Sequence, residues 1–400
     1  MDVVSDRGEV LGASPVDAVF DDMVDWRRSV HRRPELAFDE TETTRLIRDT
    51  MASLGIDEAL RVTETGGIFA MEGGRPGRRV VLRADIDALP VQEDLGRAVH
   101  SEVDGVMHAC GHDVHVAALL GAASVLASRR EDLPGRYVVL FQPGEEALCG
   151  AKAMVEGGAL SAMEDARLIG FHVASIIPTG LVALRAGVAM SEAHSLRITL
   201  RGPGGHGAIP TGQGDVVAAT AELVSRLGEV VSDLSFEHTP CVCSAGTLAA
   251  GTAVNVIPTS ARVTGTLRTF TPHQREEALG RLRDLCAAVA EGRGVDVDLE
   301  LPEHTPAVVN DAAVTDLLEA EAQAVLGAPA VVRIAPSPPS DDVSEFLNHV
   351  PGCYFFVGGG ASDGSSGMHH SPAFSVEDES LRVGASVMVR GALALASPDR

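Results

Sequence analysis

Positive charge is what this chain most conspicuously lacks. Lys and Arg number 32 against 56 Asp and Glu, a formal net charge of −24 over 400 residues. A nucleic-acid partner needs a basic footprint, and so does an anionic membrane surface, so both are excluded as expected partners. A small anionic substrate stays open, because a few local cations can hold one carboxylate inside an acidic protein. Aromatic residues make up only 4%, with a single Trp, too few for a platform that stacks bases or flat sugars. The six cysteines, Cys110, Cys149, Cys241, Cys243, Cys286 and Cys353, are too sparse for a disulfide framework. A reducing, cytoplasmic location is therefore expected, where a cysteine serves as a thiolate ligand or as core filler. The opening MDVVSDRGEV lacks the basic then apolar pattern of a signal peptide. No apolar run reaches the ~18 residues of a membrane-spanning helix.

What is present points to a folded protein of two or three domains: hydrophobic residues are 45% of the chain, ample for a core. Capping and breaker signals predict helices from Ser14-Pro15 to Arg33, stopped by Pro34, and from Thr41 to Leu54, ended by Gly55. RVVLRA at 79–84, RYVVLF at 136–141 and RLIGFH at 167–172 read as buried strands, with a helix from His112 to Arg130 among them. That alternation predicts an α/β fold, a mixed sheet with helices on both faces. The middle of the chain differs. Strands at 194–201, 241–247, 261–270 and 295–301 and helices at 215–231 and 273–291 follow the order β-α-β-β-α-β, the split βαβ sandwich. Helix 314–326, strand 353–357 and helix 376–396 then resume the first pattern. The expected organisation is an α/β domain at 1–188 and 303–400, interrupted by an inserted α+β domain at 189–302.

Four separated segments carry metal-ligand chemistry at strand ends or helix starts: Met107 to His115 (MHACGHDVH), Gln142 to Glu146 (QPGEE), Gly170-Phe171-His172, and Met368 to Pro372 (MHHSP). Open α/β sheets place their sites at strand carboxyl ends, and zinc accepts thiolate, imidazole and carboxylate together. Gly111 between Cys110 and His112 forms a turn that can aim both side chains at one ion. Adjacent Glu145 and Glu146 suggest a division of labour, one binding metal and the other free to take a proton from a water that the metal acidifies. His108 and His115 stay open between ligand and supporting roles; His115, one turn after His112, is placed where it could orient a ligand instead of being one. His31, His238 and His304 read as hydrogen-bonded core histidines, and Cys149 and Cys353 as small core hydrophobes.

Two motifs point elsewhere. Gly202 to Gly207 satisfies G-x-G-x-x-G, but the next helix starts late and the following strand ends without the acidic residue a ribose needs. Gly360-Ala361-Ser362-Asp363-Gly364 satisfies G-x-S-x-G, but SSGMHHSP follows where a serine-hydrolase elbow needs a helix.

Taken together, the chain resembles the metal-dependent amidohydrolases of the aminoacylase and carboxypeptidase superfamily, in the hippurate hydrolase and indole-acetyl-amino-acid hydrolase branch. The likeness rests on Arg27 to Leu36 (RRSVHRRPEL), Arg83 to Pro90 (RADIDALP), Met107 to His112, Phe141 to Glu146, Gly204-Gly205-His206, Asn255 to Pro258 (NVIP), Gly265 to Phe270 (GTLRTF) and His370-Ser371-Pro372. The resemblance implies a zinc-exopeptidase-like catalytic domain with an inserted ferredoxin-like lid that also makes a homodimer. It implies two divalent metal ions, zinc by preference but manganese, cobalt or nickel as well, held by Cys110, His112, Glu146, His172 and His370. Glu145 would be the general base and Asp87 the acidic residue behind the site. His206 would reach into the partner's site, and Asn255 and Arg268 would hold the substrate carboxylate. The implied reaction hydrolyses the amide of N-acyl amino acids. Rival readings are a dipeptidase or aminopeptidase, a serine hydrolase using Ser362, and a metal-binding protein without catalysis. Thr211 after Pro210, Asp341-Asp342-Val343, Ala174 and Asp233 depart from the pattern, away from the metal set.

Overall fold

The computed structural model describes residues 14–96, 98–209 and 213–398, and divides them into two compact units. The first comprises Met1–Gly187, Val309–Ile334 and Glu345–Arg400. After a short turn capped by Ser14, it begins with helices α1 (Phe20–Arg32) and α2 (Thr41–Ser53). Strands β1 (Asp57–Leu60), β2 (Gly67–Glu72) and β3 (Arg75–Asp85) follow, then α3 (His112–Ser128), β4 (Pro134–Gln142), α4 (Gly150–Glu156), β5 (Arg167–Pro178) and β6 (Val182–Leu184).

The second unit, Val188–Val308 with Ala335–Ser344, runs β7 (Glu192–Arg201), α5 (Val216–Arg226), β8 (Val242–Ala250), β9 (Ser260–Thr269), α6 (Pro272–Arg293) and β10 (Asp296–Glu300). The first unit then closes with α7 (Ala312–Leu326), β11 (Val331–Arg333), β12 (Gly352–Gly360) and α8 (Glu379–Ala396). No helix among the described residues is long and apolar enough to cross a membrane. No disulfide joins the cysteines.

In the first unit eight strands form one sheet in the order β1-β2-β4-β3-β5-β12-β6-β11. The four at its centre, β4, β3, β5 and β12, are parallel. Their β-branched and aromatic runs are buried on both faces, as a helix-covered parallel sheet requires. The chain steps from β3 to β4 on one side and then crosses to β5 on the other, so the sheet has a switch point beside the end of β3, where such sheets open a crevice. Helix α3 is buried from His112 to Leu126, on every face. Its small residues admit close neighbours: a Cβ on Gly121 would sit 2.2 Å from the Met23 sulfur of α1. The outer strands β1 and β2 on one side and β6 and β11 on the other were not anticipated. They are short or interrupted by turn residues, and their pairing depends on neighbours distant in the chain.

The second unit is the expected split βαβ sandwich. Its sheet order, β8-β9-β7-β10, is antiparallel throughout. Leu196, Ile198 and Leu200 of β7 pack with Val263 and Leu267 of β9 against Ala219 and Leu223 of α5 and Leu282 of α6. The observed division differs from the boundary drawn at 302. His304 and Thr305 pair with His194 and Ala193, and the amide of Ser337 donates to Ala189 O at 2.8 Å. Main-chain bonds therefore tie both segments to this unit.

Three assignments to the core need correction. His238 is exposed, with a positive φ of 72° in a turn. His304 is exposed, stacked on the His194 ring at a centroid distance of 4.3 Å, because its strand lies at the end of β7 rather than under a helix. Cys149 is half-buried just before α4, whereas Cys353 lies in the core as expected.

Candidate metal centre

The site grows from loops at the carboxyl end of the parallel strands. Asp85 ends β3, opposite Gln142 of β4. Two residues beyond Asp85, the Asp87 carboxylate accepts the main-chain N–H groups of Glu145 and Glu146, each at 3.0 Å. One aspartate thus sets the conformation of the loop that carries both glutamates. The turn before them is held by Glu40, whose carboxylate accepts from the amide of Gly144 at 2.9 Å. Glu35 of the early motif caps α2, accepting from the amides of Glu42 and Thr43.

Gly111, between Cys110 and His112, has φ of 91°, and a Cβ there would lie 2.4 Å from a Val173 methyl carbon. Only glycine enters α3 by this route. The site's other loop is tied in by the amide of His370, which donates to Ala109 O at 2.9 Å; His370 itself holds a positive φ of 62°. A side chain larger than glycine in that region marks a conformation imposed by its surroundings.

The five residues the resemblance assigns to metal lie in one connected set. Cys110 Sγ is 3.3 Å from His172 Nε2. Ligand atoms of Cys110, His112 and Glu146 all lie within 4.8 Å of one another. Glu146 Oε1 is 3.8 Å from His112 Nε2 and 3.6 Å from His370 Nε2. Glu145 stands beside them, its Oε2 3.9 Å from His112 Nε2. Asp85 is already occupied: Oδ1 meets His115 Nδ1 at 2.5 Å and Oδ2 accepts from the buried Arg83 at 2.8 Å. His115 Nε2 accepts the amide of Val173 at 2.9 Å, so its proton is on Nδ1, facing Asp85. The spacing left His115 open between ligand and supporting roles; here both of its ring nitrogens are taken up by protein groups, Asp85 and the Val173 amide. His172 donates from Nδ1 to Val173 O at 2.7 Å, which turns the Nε2 lone pair toward Cys110.

The donor set fits divalent metal. Buried Nδ1 and Nε2 of His112 and Oε1 of Glu146 have no hydrogen-bond partner among the described residues, a condition proteins otherwise avoid. Burial pushes the Glu146 carboxyl up to about 7. Burial opposes charge on His112, yet Asp85, Asp87 and Glu146 outweigh it and hold its pKa up to about 10. Burial, with Glu146, Glu145 and Asp85 nearby, pushes the Cys110 thiol well up. Burial and the neighbouring His115 and His369 keep His172 neutral. Surroundings this rich in carboxylate favour a cation, and thiolate, imidazole and carboxylate are the donors of a borderline metal.

Behind the start of α3, His31 bridges Asp113 Oδ2 at 3.0 Å and Glu93 Oε1 at 3.1 Å, and Arg27 also donates to Asp113, at 3.1 Å. This is the hydrogen-bonded histidine the sequence suggested. Burial opposes its charge, but bonds to Asp113 and Glu93 prevail and raise its pKa from 6.5 to about 9. A histidine raised on folding stabilises fully below its unfolded pKa and loses that contribution as pH rises through the folded one. The stability difference between wild type and His31→Gln should therefore shrink by ~3 kcal/mol between about pH 6 and pH 10. Denaturant unfolding across that range checks it, and a constant difference would contradict it.

The remaining assigned residues lie in the second unit. His206 pairs with Val256, and the amide of Gly207 donates to Asn255 O at 2.8 Å, so His206 and Asn255 share one loop pair. Arg268 is on β9, its Nη1 donating to Ser340 Oγ at 2.9 Å. The G-x-G-x-x-G segment itself contains the two-residue strand Gly205–His206, and α5 starts only at Val216, the wrong construction for a dinucleotide phosphate. Ser362 follows β12 in a turn with no helix directly after it, α8 starting only at Glu379. Sequence reasoning did not single out Arg83, which joins Asp85, Gln142 and Tyr354, or His369, whose Nδ1 is 3.7 Å from Cys110 Sγ. The adjacent histidines at 369 and 370 are the one signal that could have flagged the latter.

Fold and site together define an α/β protein of two units with a cluster of metal donors gathered at the end of a parallel sheet. The sequence profile described as Peptidase family M20/M25/M40 matches residues 81–394. N-acetylcysteine deacetylase of Bacillus subtilis (strain 168) is 35% identical over 363 residues, covering 90% of this chain and 93% of that protein. IAA-amino acid hydrolase ILR1-like 2 of Arabidopsis thaliana is 36% identical over 373 residues, covering 92% and 84%. The crystal structure of the Bacillus subtilis YXEP protein, described as a dinuclear metal binding peptidase from the M20 family, superposes with a TM-score of 0.79 at 31% identity, covering 95% of this chain and 99% of that one. The chain belongs to peptidase family M20/M25/M40.

Proposed function

We propose that this protein hydrolyses the amide of N-acyl amino acids, releasing a carboxylic acid and a free amino acid. The observation that carries the reading is a complete donor set with one carboxylate, Glu145, left beside it. Cys110, His112, Glu146, His172 and His370 would hold two divalent ions, and the YXEP protein, described as dinuclear, supports that count. Zinc suits the thiolate best; manganese, cobalt or nickel could serve. When bound, such ions acidify water and polarise the substrate carbonyl.

The residues of the chain do the rest. Glu146 lies against His112 and His370, which supports it as the ligand and leaves Glu145 to take the nucleophile's proton and pass it to the departing nitrogen. Asp87 keeps both glutamates in place through their main-chain amides. His206 would donate to the oxyanion, of order 3 kcal/mol for a well-placed donor, as the resemblance assigns to a partner's histidine. Asn255 and Arg268 would hold the α-carboxylate, Arg268 by its planar fork. A homodimer through the second unit is supported by β8, which forms one edge of its sheet with Leu248 half-exposed. A cytoplasmic location accords with six cysteines and no disulfide.

The test is a turnover screen of N-acetyl, N-benzoyl and longer N-acyl amino acids, with free dipeptides alongside, against metal-loaded and chelator-treated protein. Acyl amino acids should be cleaved by the loaded protein alone. Preferential cleavage of dipeptides would favour a peptidase, and activity that survives chelation but is lost in Ser362→Ala would favour a serine hydrolase.

A further inference from the structure

Cys110 Sγ has two imidazole neighbours with opposite hydrogen-bonding character. His172 spends its Nδ1 proton on Val173 O, at 2.7 Å, and presents a lone pair to the sulfur from Nε2, at 3.3 Å. His369 is the reverse. Its Nε2 accepts the main-chain N–H of Ser175 at 3.2 Å. That lone pair is used, so the ring proton sits on Nδ1, and Nδ1 is the atom 3.7 Å from Cys110 Sγ. The ring is held in this orientation by the Phe374 ring, at a centroid distance of 4.7 Å, and by the His172 ring at 5.4 Å.

We infer that His369 is not a metal ligand but the hydrogen-bond donor to the Cys110 thiolate, a positioning residue that tunes how strongly the sulfur gives electron density to the metal. The inference rests on the proposed role of Cys110 as ligand. Of the adjacent histidines, His370 turns its Nε2 to Glu146 at 3.6 Å, while His369 turns an N–H to the sulfur. A thiolate that receives a hydrogen bond holds its electrons more tightly. The metal beside it is left more electron-poor and a better acid, and the sulfur is fixed in direction.

Cobalt-substituted enzyme tests this by spectroscopy. Cobalt bound to a thiolate shows a sulfur-to-metal charge-transfer band whose energy rises when the sulfur accepts a hydrogen bond. At saturating cobalt His369→Leu should keep the wild-type metal content and shift that band to longer wavelength. His369→Asn, whose amide nitrogen can overlie Nδ1, should return the band toward its wild-type position. A band that does not move in His369→Leu overturns the inference. So does loss of a cobalt ion at saturation in both variants, which would make His369 a ligand. No such band in the wild-type protein would overturn the Cys110 assignment itself. Far-UV circular dichroism of the variants confirms that each spectrum belongs to folded protein.

Discussion

Glu145→Gln should bind the wild-type complement of metal and yet turn over N-acyl amino acids about 10²–10⁴-fold more slowly, the usual contribution of a positioned general acid–base. Metal retention is expected because the cysteine, imidazole and carboxylate atoms of the proposed ligand set meet one another without Glu145. The loop also stays in place, since Asp87 holds the amide of residue 145 rather than its side chain. The amide of glutamine matches the carboxylate in shape but cannot accept the nucleophile's proton. Loss should fall on kcat, with KM little changed, because the proton moves only in the transition state. Elemental analysis paired with steady-state kinetics reads both quantities. A variant that turns over at near wild-type rates contradicts the role, and one that also sheds metal makes Glu145 a ligand.

Cys110→Ala should weaken metal binding by at least the 10–100-fold, to order of magnitude, that loss of a residue supporting a metal ligand costs, with activity falling in step at limiting metal. The sulfur is the contact of His172 and shares a cluster with His112 and Glu146, so its removal leaves a gap between the two halves of the donor set. Because the ligand must be a thiolate, metal uptake by the wild type should release a proton that the alanine variant does not release. Competition with a chelator of known affinity, and proton release in weak buffer, measure the two effects. Metal affinity unchanged in the variant would remove Cys110 from the ligand set.

The parts of the site that could be read in the sequence are those set by short-range geometry. Cys110, Gly111 and His112 announce themselves because a glycine between two ligand types allows a turn no other residue makes, and the φ of 91° at Gly111 bears this out. Glu145 and Glu146 follow a strand and a QPG turn, which is where an open sheet exposes its carboxyl end. The split βαβ order of the second unit was legible for a similar reason: each strand and helix carries its own periodicity. The return of 335–344 to that unit was not, because those residues are joined to it by main-chain bonds at Ala189 and Ser191, and a main-chain bond leaves no mark on composition. His238 and His304 went wrong on the same ground, since an imidazole in a sequence does not say whether water or a helix lies over it.

What the sequence by itself determined is the inventory and its chemistry: one thiol, three imidazoles and a carboxylate as candidate metal donors, a second glutamate next to that carboxylate, too little positive charge for nucleic acid, and a chain that alternates strand and helix around an α+β insertion. Tertiary structure alone decided which atom of each residue faces which partner. Asp85 is spent on Arg83 and His115, Asp87 on two amides, and of the two neighbouring histidines one turns to Glu146 and the other to Cys110. The reason is that ring orientation and tautomer follow from hydrogen bonds to groups tens or hundreds of residues away, such as Ser175 for His369. Those distances close only when the sheet is assembled.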